Sequence, residues 1–235
     1  MPRAGLNGGD VVAAAAGLAD ETGYASLTMG LLADRLGVRT PSLYKHVGGL
    51  ADLQHQVATL AMTELGEVIR DAVQGRAGFD ALSALLTAVR DYVAAHPGRY
   101  TATVGAEFRG PDDPLLTAST RVLDSIAAVL RGYGIGEDEM NHAIRTVRCT
   151  IHGFAMLDAS RGFQWDADPD RSFDWMIRFI DRGLRDTSTP NRRTLAWLIR
   201  AMRRCRLALL VRGLRRRRRS GPPSLRHHAY RGRTT

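Results

Sequence analysis

The stretch LTMGLLADRLGVRTPSLYKHVGGLADL, from Leu27 to Leu53, carries the punctuation that most narrows the possible folds. Thr28 stands where a helix can start, because its hydroxyl can accept a first-turn N–H. Gly37 stands where that helix stops, since glycine enters the left-handed backbone of a helix end without a Cβ penalty. Thr40 and Pro41 then open a new helix: threonine is a good N-cap, and proline fits the first helical position, where no N–H is needed. That third helix is expected to run to about Val47, where Gly48 and Gly49 stop it, and a fourth begins at Leu50. Two short helices joined by a few residues that include glycine are the signature of a helix-turn-helix. Ala33, four residues before Gly37, is small enough to let a neighbouring helix come close.

The faces of the third helix separate. Leu43 and Val47 lie four apart and are expected to join Leu31, Leu32 and Leu36 in a core, with Val38 filling the gap between helices. Ser42, Lys45 and His46 share the other face at i, i+3 and i+4. Arg39 and Thr40 precede them at the helix N-terminus. A recognition helix in the major groove uses its N-terminal residues in this way. Arg39 or Lys45 has the reach for a phosphate or a guanine edge, Ser42 or His46 for a base edge, and Tyr44 for a phosphate. Thr28 brings a hydroxyl and a helix N-terminus to the DNA backbone. The plainer alternative is a small helical subdomain with a solvated polar face. The Ala33/Gly37 spacing and the order of the three helices weigh against it. Residues 1–52 carry no net positive charge, which points to modest non-specific affinity rather than against specific binding.

The remainder also reads as helix. Two-residue alternation is scarce, and β-branched clusters bounded by turns are few. Expected helices run from about Gly9 to Glu21, Thr28 to Leu36, Leu50 to Val73, Phe79 to His96, Leu115 to Tyr133, Glu137 to Ser160 and Pro169 to Arg185. Pro97 is expected to end the fifth element. The 235 residues are 44% hydrophobic, ordinary for a globular chain. Two cysteines, Cys149 and Cys205, exclude a disulfide framework and fit a reduced, cytoplasmic setting. No secretory signal opens the chain, and no stretch approaches the roughly 20 apolar residues that span a bilayer. There is no Gly-rich phosphate loop, no GxSxG and no HExxH. Cys149 and His152 lie three apart with no second ligand pair, so no metal is expected; no cofactor and no enzymatic activity are implied.

The net charge of +9 comes from one end. Through residue 191 there are 18 Lys and Arg against 24 Asp and Glu, a balance of −6; residues 192–235 hold the other 15, all Arg, with no acid. Leu195, Leu198, Met202 and Leu209 within that tail suit a basic amphipathic helix, and the last residues read as disordered. The tail has three readings: added non-specific DNA affinity, contact with anionic lipid, or an extension without a selected role.

In the long helix expected from Glu137 to Ser160, Met140, Ile144, Val147, Ile151 and Phe154 form one apolar stripe, flanked by a polar stripe of Arg145, Arg148 and His152. Phe173, Met176, Ile177, Ile180 and Leu184 form another on the last helix. Each stripe is either ordinary core or part of a four-helix dimer interface. His152 is either a ligand-facing titratable group or a satisfied structural residue. Arg145 and Arg148 suit an anionic ligand or salt bridges equally. Trp165 and Trp175 suit pocket walls or packing anchors.

The Leu27–Leu53 stretch resembles the DNA-binding domain of TetR-family transcriptional regulators, and the match covers residues 8–60. The resemblance implies an all-α protein: an N-terminal three-helix DNA-binding domain (residues 1–52), then a helical effector-binding and dimerisation domain (53–188), with the Arg-rich tail (189–235) outside the match. It implies a homodimer whose third helices enter successive major grooves of a near-palindromic double-stranded operator, and a small-molecule effector that releases it. The implied DNA-facing set is Thr28, Arg39, Thr40, Pro41, Ser42, Tyr44, Lys45 and His46. Ile144, Val147, Ile151, Phe154, Phe173, Met176, Ile177 and Ile180 are the implied dimer interface. Arg145, Arg148, His152 and Trp165 are the effector candidates. One departure is that Gly48, Gly49 and Leu50 stand where many members carry a basic phosphate anchor, leaving that contact missing or made by backbone amides. RTVRCTIHGFAMLDASRGF followed by DPDRSFDWMI is similar to the C-terminal domain of the WHG type, through His152-Gly153-Phe154 and Ser172-Phe173, over about residues 79–185. The rival class is a helical enzyme or small-molecule carrier in which the N-terminal bundle is only structural.

Overall fold

Apolar residues recurring every three or four positions fold as predicted, into helices that turn those residues inward. A computed structural model describes residues 6–164 and 166–188. Among them are α1 (Gly8–Thr22), α2 (Met29–Leu36), α3 (Thr40–Leu43), α4 (Leu50–Val73), α5 (Gly78–Ala95), α6 (Pro97–Thr103), α7 (Pro114–Arg131), α8 (Glu137–Ala159) and α9 (Pro169–Ser188), with no strand. Trp165 and the Arg-rich tail lie outside the described residues.

The α1 N-terminus is closed reciprocally. Asn7 Oδ1 accepts the Asp10 N–H at 2.9 Å, while the Asn7 N–H donates to Asp10 Oδ2 at 3.4 Å. Such a capping box satisfies two backbone donors that the helix itself cannot. At the C-terminus of α2, Gly37 adopts φ 63° and ψ 35°, and the Val38 N–H reaches back to the Ala33 carbonyl at 3.0 Å. This six-to-one bond is why a residue free of Cβ strain is needed there.

Three local expectations are corrected. α3 is shorter than predicted: regular helix ends at Leu43, and Tyr44 to His46 continue as a turn, with the His46 N–H bonded to the Leu43 carbonyl. Arg39, not Thr40, occupies its N-cap, and no side chain caps it. Pro97 does not merely end α5. It opens α6 from the first turn, the one helical position that tolerates a missing N–H.

α4 is the trunk. It packs against α1, α5, α6 and α7 and runs unbroken across residues 52 and 53. Leu53 and Val57 are fully buried near its start, and Ile69 near its end. α8 packs on α5 and α7, and α9 on α5 and α8. Arg90 of α5 ties these last helices together. It donates to Asp158 of α8 at 2.8 Å and pairs with Asp170 of α9 at 2.8 Å, with its guanidinium 4.7 Å from the Phe173 ring centre. Partial burial and the aromatic face make this clamp stronger than an exposed ion pair.

The apolar stripes of α8 and α9 face mostly inward. Ile144, Val147, Ile151, Phe173, Met176, Ile177 and Ile180 are buried within the single chain, and Phe154 is half-buried against Phe163 and Phe173. These side chains fill the subunit's own core. What α8 and α9 leave outward is different: Leu157, Trp175 and Phe179 are each about half exposed or more, and the two aromatic rings stack with centres 5.2 Å apart.

Candidate nucleic-acid interface and ligand cavity

The DNA-facing candidates surround a small buried anchor. Leu43 is fully buried and Val47 nearly so, which fixes the α3 turn to the core. Arg39, Pro41, Tyr44 and Lys45 are exposed, and Thr40, Ser42 and His46 are half-buried at the rim. Thr28 is exposed at the start of α2, where its Oγ1 accepts the Leu31 N–H at 3.2 Å. The polar side of the turn is therefore not packed away. Leu31 was expected in the core but is 43% exposed, on the outer side of α2. Leu32 and Ala33 do the packing instead. Arg35, also on α2, is engaged by both carboxylate oxygens of Glu21, so its charge is already matched.

Of the backbone amides of Gly48, Gly49 and Leu50, where a basic residue is absent, one is taken. The Gly48 N–H donates to Asp52 Oδ2 at 2.8 Å. That bond, first, and then the contacts from Arg109 and Gln56 hold the Asp52 carboxyl below its usual range, against a smaller push upward from desolvation.

Asp52 leads into a polar network that joins the reading unit to the body. Arg109, in the α6–α7 connection, donates to Asp52 Oδ1 at 3.0 Å and to the Ala51 carbonyl at 2.9 Å. Its own N–H donates to Asp113 Oδ2 at 2.7 Å. Asp113 Oδ1 accepts the Leu115 N–H at 2.9 Å and meets His55 Nε2 of α4 at 2.9 Å. Burial pushes the Asp113 carboxyl up, but the two backbone amides and the imidazole together outweigh it and hold the group at about 2.

A second junction lies at α1. The Arg99 N–H of α6 donates to Asp20 Oδ1 at 2.8 Å, and its side chain bonds Glu64 of α4 at 3.1 Å. Arg99 Nε sits 2.9 Å from Asp20 Oδ2 but off the hydrogen-bond axis, so that contact is electrostatic. Tyr92 donates to Glu64 at 2.9 Å.

Between α4, α5, α7, α8 and the α6–α7 connection lies a cavity of about 340 Å³. Its walls include Met62, Leu85, Val89, Phe108, Val122 and Ile151. Of the three effector candidates among the described residues, Arg148 alone lines it, and Trp165 lies outside them. Arg145 is exposed and absent from the wall. His152 stands one layer back, with Nδ1 3.1 Å from the hydroxyl of Tyr100, which does line the cavity. Burial raises the Tyr100 pKa, opposed by the nearby Arg148 charge. Sequence reasoning missed the α4, α5 and α7 walls because their inward stripes look like any core. It missed Arg109 and Asp113 because their partners on α4 lie 57 and 58 residues away.

Comparison with known proteins agrees with this geometry. Residues 11–53 match the family of bacterial regulatory proteins, tetR family, and residues 82–180 match the tetracyclin repressor-like C-terminal domain. An uncharacterized HTH-type transcriptional regulator of Mycobacterium tuberculosis, Rv0681, is 34% identical over 72% of this chain and 78% of its own. The uncharacterized HTH-type transcriptional regulator YobS of Bacillus subtilis is 31% identical over 78% of this chain and 95% of its own. Among solved structures, Mycobacterium smegmatis BioQ superposes with a TM-score of 0.58 at 27% identity, covering 77% of this chain and 99% of BioQ. BioQ has also been solved with its double-stranded DNA operator, a structure to which this chain is 24% identical with a TM-score of 0.57. A reading unit of the right order and exposure, matched N-terminal and C-terminal domains, and two relatives above 30% identity establish that this chain belongs to the TetR family of DNA-binding transcriptional regulators.

Proposed function

We propose that the chain is a repressor that binds a near-palindromic operator as a homodimer and is released by a small molecule in the cavity. The observation that carries this reading is the exposed polar rim of α2 and α3 held over buried Leu43 and Val47. Thr28, Arg39, Thr40, Pro41, Ser42, Tyr44, Lys45 and His46 are the operator-facing set. Arg39, Tyr44 and Lys45 are exposed enough to reach phosphates and base edges without rearrangement. BioQ, in complex with its operator, supplies the precedent for a related fold on duplex DNA.

In this reading residues 1–52 are the reading head and 53–188 the sensing and dimerising body. The body of one subunit meets its mate through the outward faces of α8 and α9, where Trp175, Phe179 and Leu157 remain exposed in the single chain. Half-sites one helical turn apart, about 34–36 Å, make docking sensitive to small changes in head separation. Residues 97–113 are suited to transmit such a change. Tyr100, Thr103, Ala106 and Phe108 of this segment wall the cavity, while Arg99 holds α1 and Arg109 holds the start of α4. An effector favouring a displaced 97–113 segment lowers operator affinity by its differential affinity for the two states. A regulator of this kind acts in the cytoplasm, and no helix of the described residues is long and apolar enough to cross a membrane.

The test is gel retardation with DNA from the region upstream of the protein's own gene. A sequence-specific, salt-sensitive shift is expected, lost in Tyr44→Ala and Lys45→Ala while the dimer and its helicity are kept. Specific retardation retained by both variants removes these residues from the site.

A further inference from the structure

The chemistry of the cavity wall narrows the class of ligand, given that the cavity is the effector site as proposed above. We propose that it takes a small amphipathic monoanion, a carboxylate on a hydrocarbon body, with Arg148 as the partner of the charged end.

Three observations point this way. The wall holds no Asp or Glu, and Arg148 is its one residue with a permanent charge. The other arginines packed around this region are matched by acids: Arg90 by Asp158 and Asp170, Arg99 by Asp20 and Glu64, Arg109 by Asp52. Arg148 has no carboxylate partner among the described residues, so a ligand that brings one meets an unmatched guanidinium, which can donate to two oxygens in parallel. Finally, the rest of the wall is mainly Met, Leu, Ile, Val and Phe, with Ser119 adding a hydroxyl that bonds no described residue. A cationic ligand would lose its hydration there with no acid to replace it, and a neutral one would gain nothing from Arg148, itself an exposed residue, whereas a carboxylate would pair with it. At about 30 Å³ for each water-sized group, the 340 Å³ cavity has room for on the order of ten non-hydrogen atoms.

Octanoate, 1-octanol and octylammonium share a tail of suitable size and differ in charge. Isothermal titration calorimetry on the full chain tests them side by side. Octanoate is expected to bind at least about tenfold more tightly than octanol, with octylammonium weakest, in keeping with a charge-assisted hydrogen bond. Arg148→Gln is expected to bring octanoate down to the level of octanol without changing octanol. Arg145→Gln, off the wall, is expected to leave the order intact. Equal binding of octanoate and octanol, an octanoate preference that survives Arg148→Gln, or no binding of octanoate at millimolar concentration overturns the anion assignment. Leu123→Trp and Ser119→Phe, which fill the cavity from a half-exposed part of its wall, separate the two levels. They are expected to abolish binding of octanoate and octanol alike, and unchanged binding in both variants overturns the cavity as the site.

Discussion

Gly98→Ala offers the sharpest test of how the reading head is seated on the body. Gly98 lies in the first turn of α6, buried against the end of α1. A Cβ added there would stand 2.0 Å from the Ala19 carbonyl oxygen, 2.2 Å from its carbon and 2.6 Å from the Asp20 nitrogen. Ordinary contact begins near 3.4 Å, so the two backbones would have to part by roughly 1.4 Å. No side chain can rotate to relieve this, since all three atoms are backbone. Overpacking of this kind costs about 1–3 kcal/mol, occasionally more. The same displacement stretches the bond from the Arg99 N–H to Asp20, a charge-assisted interaction of about 1.5–3 kcal/mol. The two terms overlap, so a loss of about 2–4 kcal/mol is expected, or a fall in melting temperature of roughly 5–15 °C for a chain this size. Thermal unfolding followed by circular dichroism measures it. Gly17→Ala, on α1 with nothing within 4 Å of the new Cβ, is the control and is expected to be neutral or stabilising by up to about 1 kcal/mol. A Gly98→Ala protein melting within about 2 °C of the parent would refute the close approach and the seating of α1 on α6 drawn from it.

Three further outcomes are expected. Asp113 has its pKa lowered from 3.8 to about 2 in the folded chain, so its contribution is complete above pH 4 and is lost as pH falls towards 2. Asp113→Asn is therefore expected to melt lower at neutral pH and to show a shallower dependence across pH 4 to 2, and parallel curves would refute the network. Arg109→Ala removes a half-exposed contact worth on the order of 0.5–1 kcal/mol, so the melting temperature is expected to move by less than about 3 °C. Exchange of the Gly48 amide with solvent deuterium, followed by NMR, is expected to speed up about threefold to fivefold as Asp52 loosens, and unchanged exchange breaks the proposed link from Arg109 to α3. Trp175→Glu with Phe179→Glu is expected to yield a folded monomer in sedimentation at micromolar concentration, because both rings are exposed in the single chain; a persisting dimer places the interface elsewhere.

The parts of this protein that were legible in its sequence are those governed by local rules. Thr28, Gly37 and the Leu43/Val47 pair announce the reading unit because capping, left-handed backbone and four-residue spacing all act within a turn or two. The bounds of α4 and the inward stripe of α5 follow from periodicity alone. Periodicity also announced the stripes on α8 and α9, but it cannot say which body an apolar face will meet. The chain's own helices claim Val147, Ile151 and Ile177 for the core, and what stays exposed is the Trp175/Phe179 side. α6 was hidden because the proline that stops one helix equally well starts the next.

By itself, then, the order of residues determined most of the helices, the helix-turn-helix and its polar rim, since each depends on neighbours a few positions apart. Only the tertiary structure decided that Arg148 and not Arg145 faces the cavity, that Arg109 and Asp113 grip α4, and that Gly98 must stay bare beneath α1. Those relations join positions tens of residues apart. They exist only once packing has chosen which surfaces meet.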